Sequence, residues 1–363
     1  MKYIDEYRDP KKVRRLVDLI NAEAVKPIYK IMEVCGTHTA AIRKFGIKSM
    51  LSDAIELISG PGCPVCVTSD GYLRCAISLL KNKKVLLATY QDMLRVPVDT
   101  TSLEKERSRG ADIIGVNSAL EALDLAKRSK DREVIFLGVG FETTAPGTAI
   151  VVKAASKEKV KNFSVYSAHK TIPGALLALC RDKDLALDGF LLPGHVSAIL
   201  GLDGYRAVMK KINLTSVITG FEALDILLSI YKIVRAVNEK KPILENEYTR
   251  IVAKEGNSKA KALLKEVFEK KDGFWRGLGV IKDSELAIRY KFRAQDALVK
   301  FSLKKEQMGR GKSVACRCAD VLKGKIAPAQ CQFFGKACTP QAPQGPCMVS
   351  REGTCRSYYE YNG

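Results

Sequence analysis

The chain has 363 residues, 46% of them hydrophobic and 28% charged, a composition that excludes a disordered polymer or a membrane-embedded bundle. At that length two or three domains are expected. The net charge of +20 raises nucleic-acid binding, but the lysines and arginines are interspersed with acids and aromatic residues do not interleave with them, so a solvated basic surface, or docking to acidic partner proteins, is expected instead.

No run approaches the roughly 18 apolar residues a membrane span needs. Residues 1–8 mix both charge signs and lack an apolar stretch, so no signal peptide is read there and a cytoplasmic location is expected. Eleven cysteines in such a compartment do not read as a disulfide framework.

Residues 10–25 carry Val13, Leu16, Leu19 and Ile20 at helical spacing behind Pro10, which predicts a first helix. Short apolar runs then predict strands at 29–34, 54–58, 85–89, 113–116, 134–139, 163–166, 190–192 and 217–218. Helical patterns such as 120–129 and 172–180 fill several intervals. This is the period of βαβ repeats, with parallel sheets covered by helices. The simplest division is two consecutive Rossmann-like α/β units, 27–130 and 131–235, facing a shared cleft. A helical and irregular cysteine-rich unit, 236–363, completes the chain together with the N-terminal helix 1–26.

Polar loops follow the predicted strands, where open parallel sheets bind their ligands. The first strand runs into Cys35-Gly36-Thr37-His38-Thr39, the second into Gly60-Pro61-Gly62-Cys63-Pro64-Val65-Cys66. Later ones run into Gly140-Phe141-Glu142-Thr143-Thr144, Ser167-Ala168-His169-Lys170, Pro193-Gly194-His195 and Gly220-Phe221-Glu222. Glycine, serine and threonine there are also ordinary helix caps, and a lone histidine is often just a hydrogen-bonded core residue. Yet all three histidines of the chain fall at this edge. Cys63 and Cys66, spaced C-x-x-C, read first as a redox dithiol, second as half of a zinc site and third as an inert turn.

Beyond residue 236 the β–α period stops, helices are expected at 247–253, 257–268 and 295–299, and Trp275 reads as packing. The tail reads Cys316-x-Cys318-x12-Cys331-x6-Cys338-x8-Cys347-x7-Cys355. It has neither the paired C-x2-C knuckles of a zinc ribbon nor the tight spacing of a bacterial ferredoxin. Thiolates on irregular loops select an iron–sulfur cluster or zinc, and spacing alone leaves both open, along with no metal at all.

The Cys35–Thr39, Gly60–Cys66, Gly140–Pro146, Pro193–Ser197 and Gly220–Glu222 motifs, with Asp225-Ile226-Leu227 and the tail from Cys331 through Met348-Val349-Ser350 to Cys355, resemble the HypD family of hydrogenase maturation proteins. Ala223 departs from the proline expected after Gly-Phe-Glu. The resemblance implies a scaffold, working with a small HypC-type chaperone, on which the Fe(CN)2CO centre of [NiFe]-hydrogenase is assembled. Cyanide would come from a HypE-type donor charged with HypF. It also implies a [4Fe–4S] cluster on Cys316, Cys331, Cys338 and Cys355, with Cys318 the alternative to Cys316.

In that setting Cys35 is the candidate iron ligand, with His38 orienting or protonating beside it. Cys63 and Cys66 would supply electrons, and His195 and Glu142 would serve proton transfer or partner contact. Cys75, Cys180 and Cys347 are read as structural. The competing expectation is a free-standing iron–sulfur thiol–disulfide reductase acting on protein disulfides.

Overall fold

The computed structural model describes residues 5–182, 184–303 and 316–361, so the reading of residues 1–8 falls partly outside it, as does that of 304–315 within the tail. Among the described residues no helix is long and apolar enough to cross a membrane. The first helix, Pro10–Glu23, begins where Asp9 accepts from the Lys11 amide at 2.9 Å, with Pro10 in the first turn, where no amide donor is needed.

Eight strands lie where the sequence places them: β1 (Tyr29–Glu33), β2 (Ile55–Ser59), β3 (Val85–Tyr90), β4 (Ile113–Val116), β5 (Glu133–Gly138), β6 (Phe163–Ser167), β7 (Gly189–Pro193) and β8 (Thr215–Thr219). Three more follow: β9 (Leu244–Asn246), β10 (Phe268–Trp275) and β11 (Gly279–Ile288). The fold is α/β with two parallel sheets, ordered β2-β1-β7-β8-β9 and β4-β3-β5-β6.

This pairing corrects the expected grouping into consecutive halves. β1 and β2 pair with β7 and β8 from far along the chain, while β3 to β6 form the second sheet alone. The helix leaving β2, Asp70–Leu79, explains why. Its Tyr72, Leu73, Ala76 and Leu79 belong to a core that also takes Ile58 and Phe190 from one sheet and Leu87 and Ile135 from the other. The chain therefore crosses between the sheets and begins β3 on the far side. Each such aliphatic or aromatic side chain, removed from water, contributes about 1.5–3 kcal/mol.

Helices Pro10–Glu23 and Ala223–Asn238 cover the outer face of the β1-containing sheet, through Leu16, Ile20, Ile226 and Ile230 against Ile31, Leu191 and Val217. The first helix thus packs on this sheet, not with the cysteine-rich tail where the sequence reading put it. Helices Ala119–Arg128 and Ala145–Lys157 cover the outer face of the other sheet.

The third region also differs from expectation. Residues 247–253 form turns instead of a helix, because Arg250 is drawn into a two-pronged pair with buried Asp225, at 2.7 and 2.6 Å. The helix expected at 257–268 is present as Ser258–Val267. β10 and β11 form an antiparallel hairpin laid along the end of β6, where Leu286 donates to the His169 carbonyl and Ser167 to the Leu286 carbonyl. Trp275 is fully buried in that hairpin, its indole N–H donating to Ser284 Oγ at 2.8 Å.

Candidate functional site

The carboxyl ends of both sheets meet the cysteine-rich tail. Thr37, beyond β1, donates to Glu352 at 3.2 Å, and Asp92, beyond β3, accepts from Ser350 Oγ at 2.9 Å. One stretch of tail thereby touches both rims.

Cys35 is the residue before the helix Gly36–Lys44, with extended backbone, and the amides of Thr37 and His38 point at its sulfur. Helix-terminal amides favour a thiolate, but burial outweighs them and, with the Glu352 carboxylate nearby, pushes the Cys35 thiol up to about 12. Relative to a free cysteine near 9, that is roughly 4 kcal/mol in favour of the protonated form, which a bound metal cation would offset. Beneath it, buried Glu33 accepts from Ser59 Oγ at 2.6 Å and Thr39 Oγ1 at 3.2 Å. Burial raises this carboxyl to about 7, and its two bonds tie β1, β2 and the Cys35 helix together.

The Cys63/Cys66 loop lies directly against Cys35, with the Gly36 amide donating to the Gly62 carbonyl at 3.2 Å. Cys63 precedes the one-turn helix Pro64–Val67 and is joined to Cys66 by a disulfide, their Cα atoms 5.3 Å apart. Arg276, from the hairpin tip, locks this loop: its Nε donates to the Cys66 and Thr68 carbonyls, each at 3.1 Å, and its NH1 to Asp70 at 2.5 Å.

Two imidazoles flank one ring. His38 packs on Phe221 with centroids 4.8 Å apart and His195 on the same ring at 4.2 Å. Fully buried His38 meets the Thr219 and Gly220 carbonyls through Nε2 at 3.1 and 3.0 Å, and burial lowers it to about 4. It is therefore a neutral donor at neutral pH. His195 stays exposed beyond β7.

Glu142 caps the helix Ile172–Leu179 by accepting from the Ile172 amide at 3.1 Å, and burial raises it to about 7. It belongs to the other sheet, but Tyr205 feels the charge of both Glu142 and Cys35, with its hydroxyl 3.1 Å from Ser197 Oγ. His169 is buried and bonded through Nε2 to Thr148 Oγ1 at 2.8 Å, while its Nδ1 has no hydrogen-bond partner among the described residues.

In the tail, burial raises the Cys316 thiol to about 12, and Cys318, Cys338 and Cys355 add to the rise. Burial likewise raises Cys338, with Cys355 and Cys331 contributing. Cys316 thus lies within electrostatic reach of Cys338 and Cys355, and Cys338 within reach of Cys331 and Cys355. Among the described residues, however, no three His, Cys, Asp or Glu side chains gather around a single metal-ion position. An all-thiol set spread over several loops fits a multi-iron cluster, whose corners hold sulfurs farther apart than one tetrahedral ion does.

Cys347, read from sequence as structural, lies with its sulfur 2.7 Å from that of Cys318. Cys318 is the more acidic of the two, drawn down by its bond with Cys347 and by Arg276. The Cys347 helix, Pro346–Val349, packs on the Pro64–Val67 helix of the disulfide. Sequence reasoning also passed over Glu33 and Arg276. An acid inside the apolar run Ile31-Met32-Glu33-Val34 was the available signal for the first; nothing local marked the second.

The molecule is a parallel α/β protein in which Cys35, the Cys63–Cys66 disulfide and the cysteine-rich tail converge at the strand ends. The family model described as HypD, hydrogenase formation hypA family, matches residues 11–362. The chain is 44% identical to the hydrogenase maturation factor HypD of Azotobacter vinelandii, covering 99% of this chain and 97% of that one. It is 40% identical to that of Rhodobacter capsulatus (100% and 99%) and 38% identical to that of Escherichia coli K12 (99% and 98%). The chain belongs to the HypD family.

Proposed function

We propose that this protein serves hydrogenase maturation as the scaffold on which, with a small HypC-type chaperone, the Fe(CN)2CO centre of [NiFe]-hydrogenase is assembled. The observation that carries the reading is the backbone bond from Gly36 to Gly62, which holds the Cys63/Cys66 pair against the loop of Cys35. Iron, as cargo, takes the Cys35 sulfur, a soft ligand suited to a metal that also carries cyanide and carbonyl.

His38 stays neutral, its Nε2–H spent on the Thr219 and Gly220 carbonyls, which fix the ring beside the site, while exposed His195 meets the incoming partner. A HypE-type donor presents its thiocyanate, and two thiols at Cys63 and Cys66 reduce it. The S–CN bond breaks, cyanide leaves for iron, the donor regains its thiol, one proton is released and the Cys63–Cys66 disulfide forms. A [4Fe–4S] cluster on Cys316, Cys331, Cys338 and Cys355 would supply electrons, one at a time, for returning that disulfide to the dithiol.

Infrared spectroscopy of the anaerobic protein, co-expressed with its partners, tests the reading. Metal-bound cyanide and carbonyl bands should be present in the wild type and absent in Cys35→Ala. If an iron-loaded wild type with intact partners shows no such bands, the scaffold reading fails and a thiol–disulfide reductase takes its place.

A further inference from the structure

Away from the thiols, four arginines from two distant stretches of chain line one cavity of about 290 Å3. Arg95 and Arg107 come from the segment that follows β3, Arg351 and Arg356 from the tail. Two of them are engaged. Arg95 donates to the Pro340 carbonyl at 2.7 Å and faces Glu104 at 3.8 Å, and Arg356 pairs with Glu360 at 2.6 Å. Arg107 and Arg351 are exposed at the cavity, with no protein partner among the described residues.

The acids of the lining do not balance this charge. Asp92 accepts from Ser350, and Glu104 is half shared with Arg95, so with Arg356 set against Glu360 three cations still face two anions. Like charges drawn together repel unless an anion joins them, and a planar guanidinium offers paired N–H donors matched to phosphate or carboxylate oxygens. Buried Leu94 and Val349 add an apolar wall that limits the space to a small ligand.

We propose that this cavity is a binding site for a small, doubly charged oxyanion of the phosphate class, with Arg107 and Arg351 as its principal ligands. Arg351 is followed by Glu352, which bonds Thr37 beside Cys35, so an anion held here would steady the segment that borders the iron-binding loop. The inference does not depend on metallocentre assembly, and its test needs neither iron nor partner proteins.

Isothermal titration calorimetry of the full chain with inorganic phosphate at low ionic strength should show one site per chain. Arg107→Ala/Arg351→Ala should weaken it at least tenfold, while Lys210→Ala/Lys211→Ala, which removes the same two charges from a remote helix end, should leave it unchanged. Circular dichroism of both double variants checks that they fold alike. Absence of a saturable site in the wild type, equal affinity in the arginine variant, or an equal loss in the lysine variant would each overturn the proposal.

Discussion

Gly62 lies so close to Cys35 that a Cβ on the glycine would stand 2.2 Å from the Cys35 amide nitrogen. The obstacle is backbone, so no rotamer change relieves it. Gly62→Ala should therefore push the dithiol loop off the Cys35 loop, at a cost of about 1–3 kcal/mol for overpacking. Urea unfolding checks this. Gly147→Ala, in a helix with open space around the position, is the contrasting case and should gain about 0.5–1 kcal/mol.

The Cys35 thiol should be slow to alkylate. With its titration raised to about 12 by burial and by Glu352, the thiolate fraction at pH 8 is roughly a thousandfold below that of a free cysteine. Mass spectrometry after timed iodoacetamide exposure should find Cys35 at least 100-fold slower in the folded protein than in urea. Glu352→Gln removes a negative charge, lowers the titration point and should speed the reaction several-fold. A rate unchanged in that variant would deny Glu352 its influence on the sulfur.

His169 makes stability pH-dependent. Burial lowers it to about 4 from an ordinary value of 6.5, so the unfolded chain takes up a proton before the folded one does. Its contribution is full above pH 6.5 and is lost as pH falls to 4, by about 3 kcal/mol in all. Glu142, raised to about 7 from 4.5, acts with the opposite sign, its contribution being present below pH 4.5 and lost by pH 7. Urea midpoints between pH 7.5 and 4.5 should show a shallower acid-side loss in His169→Gln and a steeper one in Glu142→Gln.

Under the proposed function, the tail thiols divide into four cluster ligands and a neighbouring pair. Serine at Cys316, Cys331, Cys338 or Cys355 should remove the broad visible absorption of an iron–sulfur cluster and its iron by elemental analysis. Serine at Cys318 should leave both in place, since its sulfur is engaged with that of Cys347 at 2.7 Å, and serine at Cys347, whose thiol also bonds Cys355, should keep the iron while perturbing the absorption. Retained absorption in Cys316→Ser together with loss in Cys318→Ser would exchange the two assignments.

The strands were legible because each is a short apolar run ended by a polar, glycine-bearing loop, and that punctuation also marked Cys35, Cys63, Cys66 and His195. Which parallel strands pair is a different kind of information. Nothing within 29–34 or 54–58 states that β1 will lie beside β7, because the choice is made by helix Asp70–Leu79 as it packs between the sheets. The β10–β11 hairpin escaped notice because Lys270, Lys271 and Asp272 interrupt its alternation at a register irregularity. Cysteine spacing named the thiols of the tail but not which of them meet, so Cys347 was set aside although its sulfur touches that of Cys318.

The interleaved sheets also set an order of assembly. β3 to β6 come from one continuous stretch and can pair as soon as residue 167 has emerged from synthesis. β1 and β2, made first, have to wait for β7 and β8 before their sheet is complete. Glu352, which closes over the Cys35 loop, comes later still. A nascent chain thus carries Cys35 without the surroundings that hold it, and only a finished molecule has the Cys35 edge assembled.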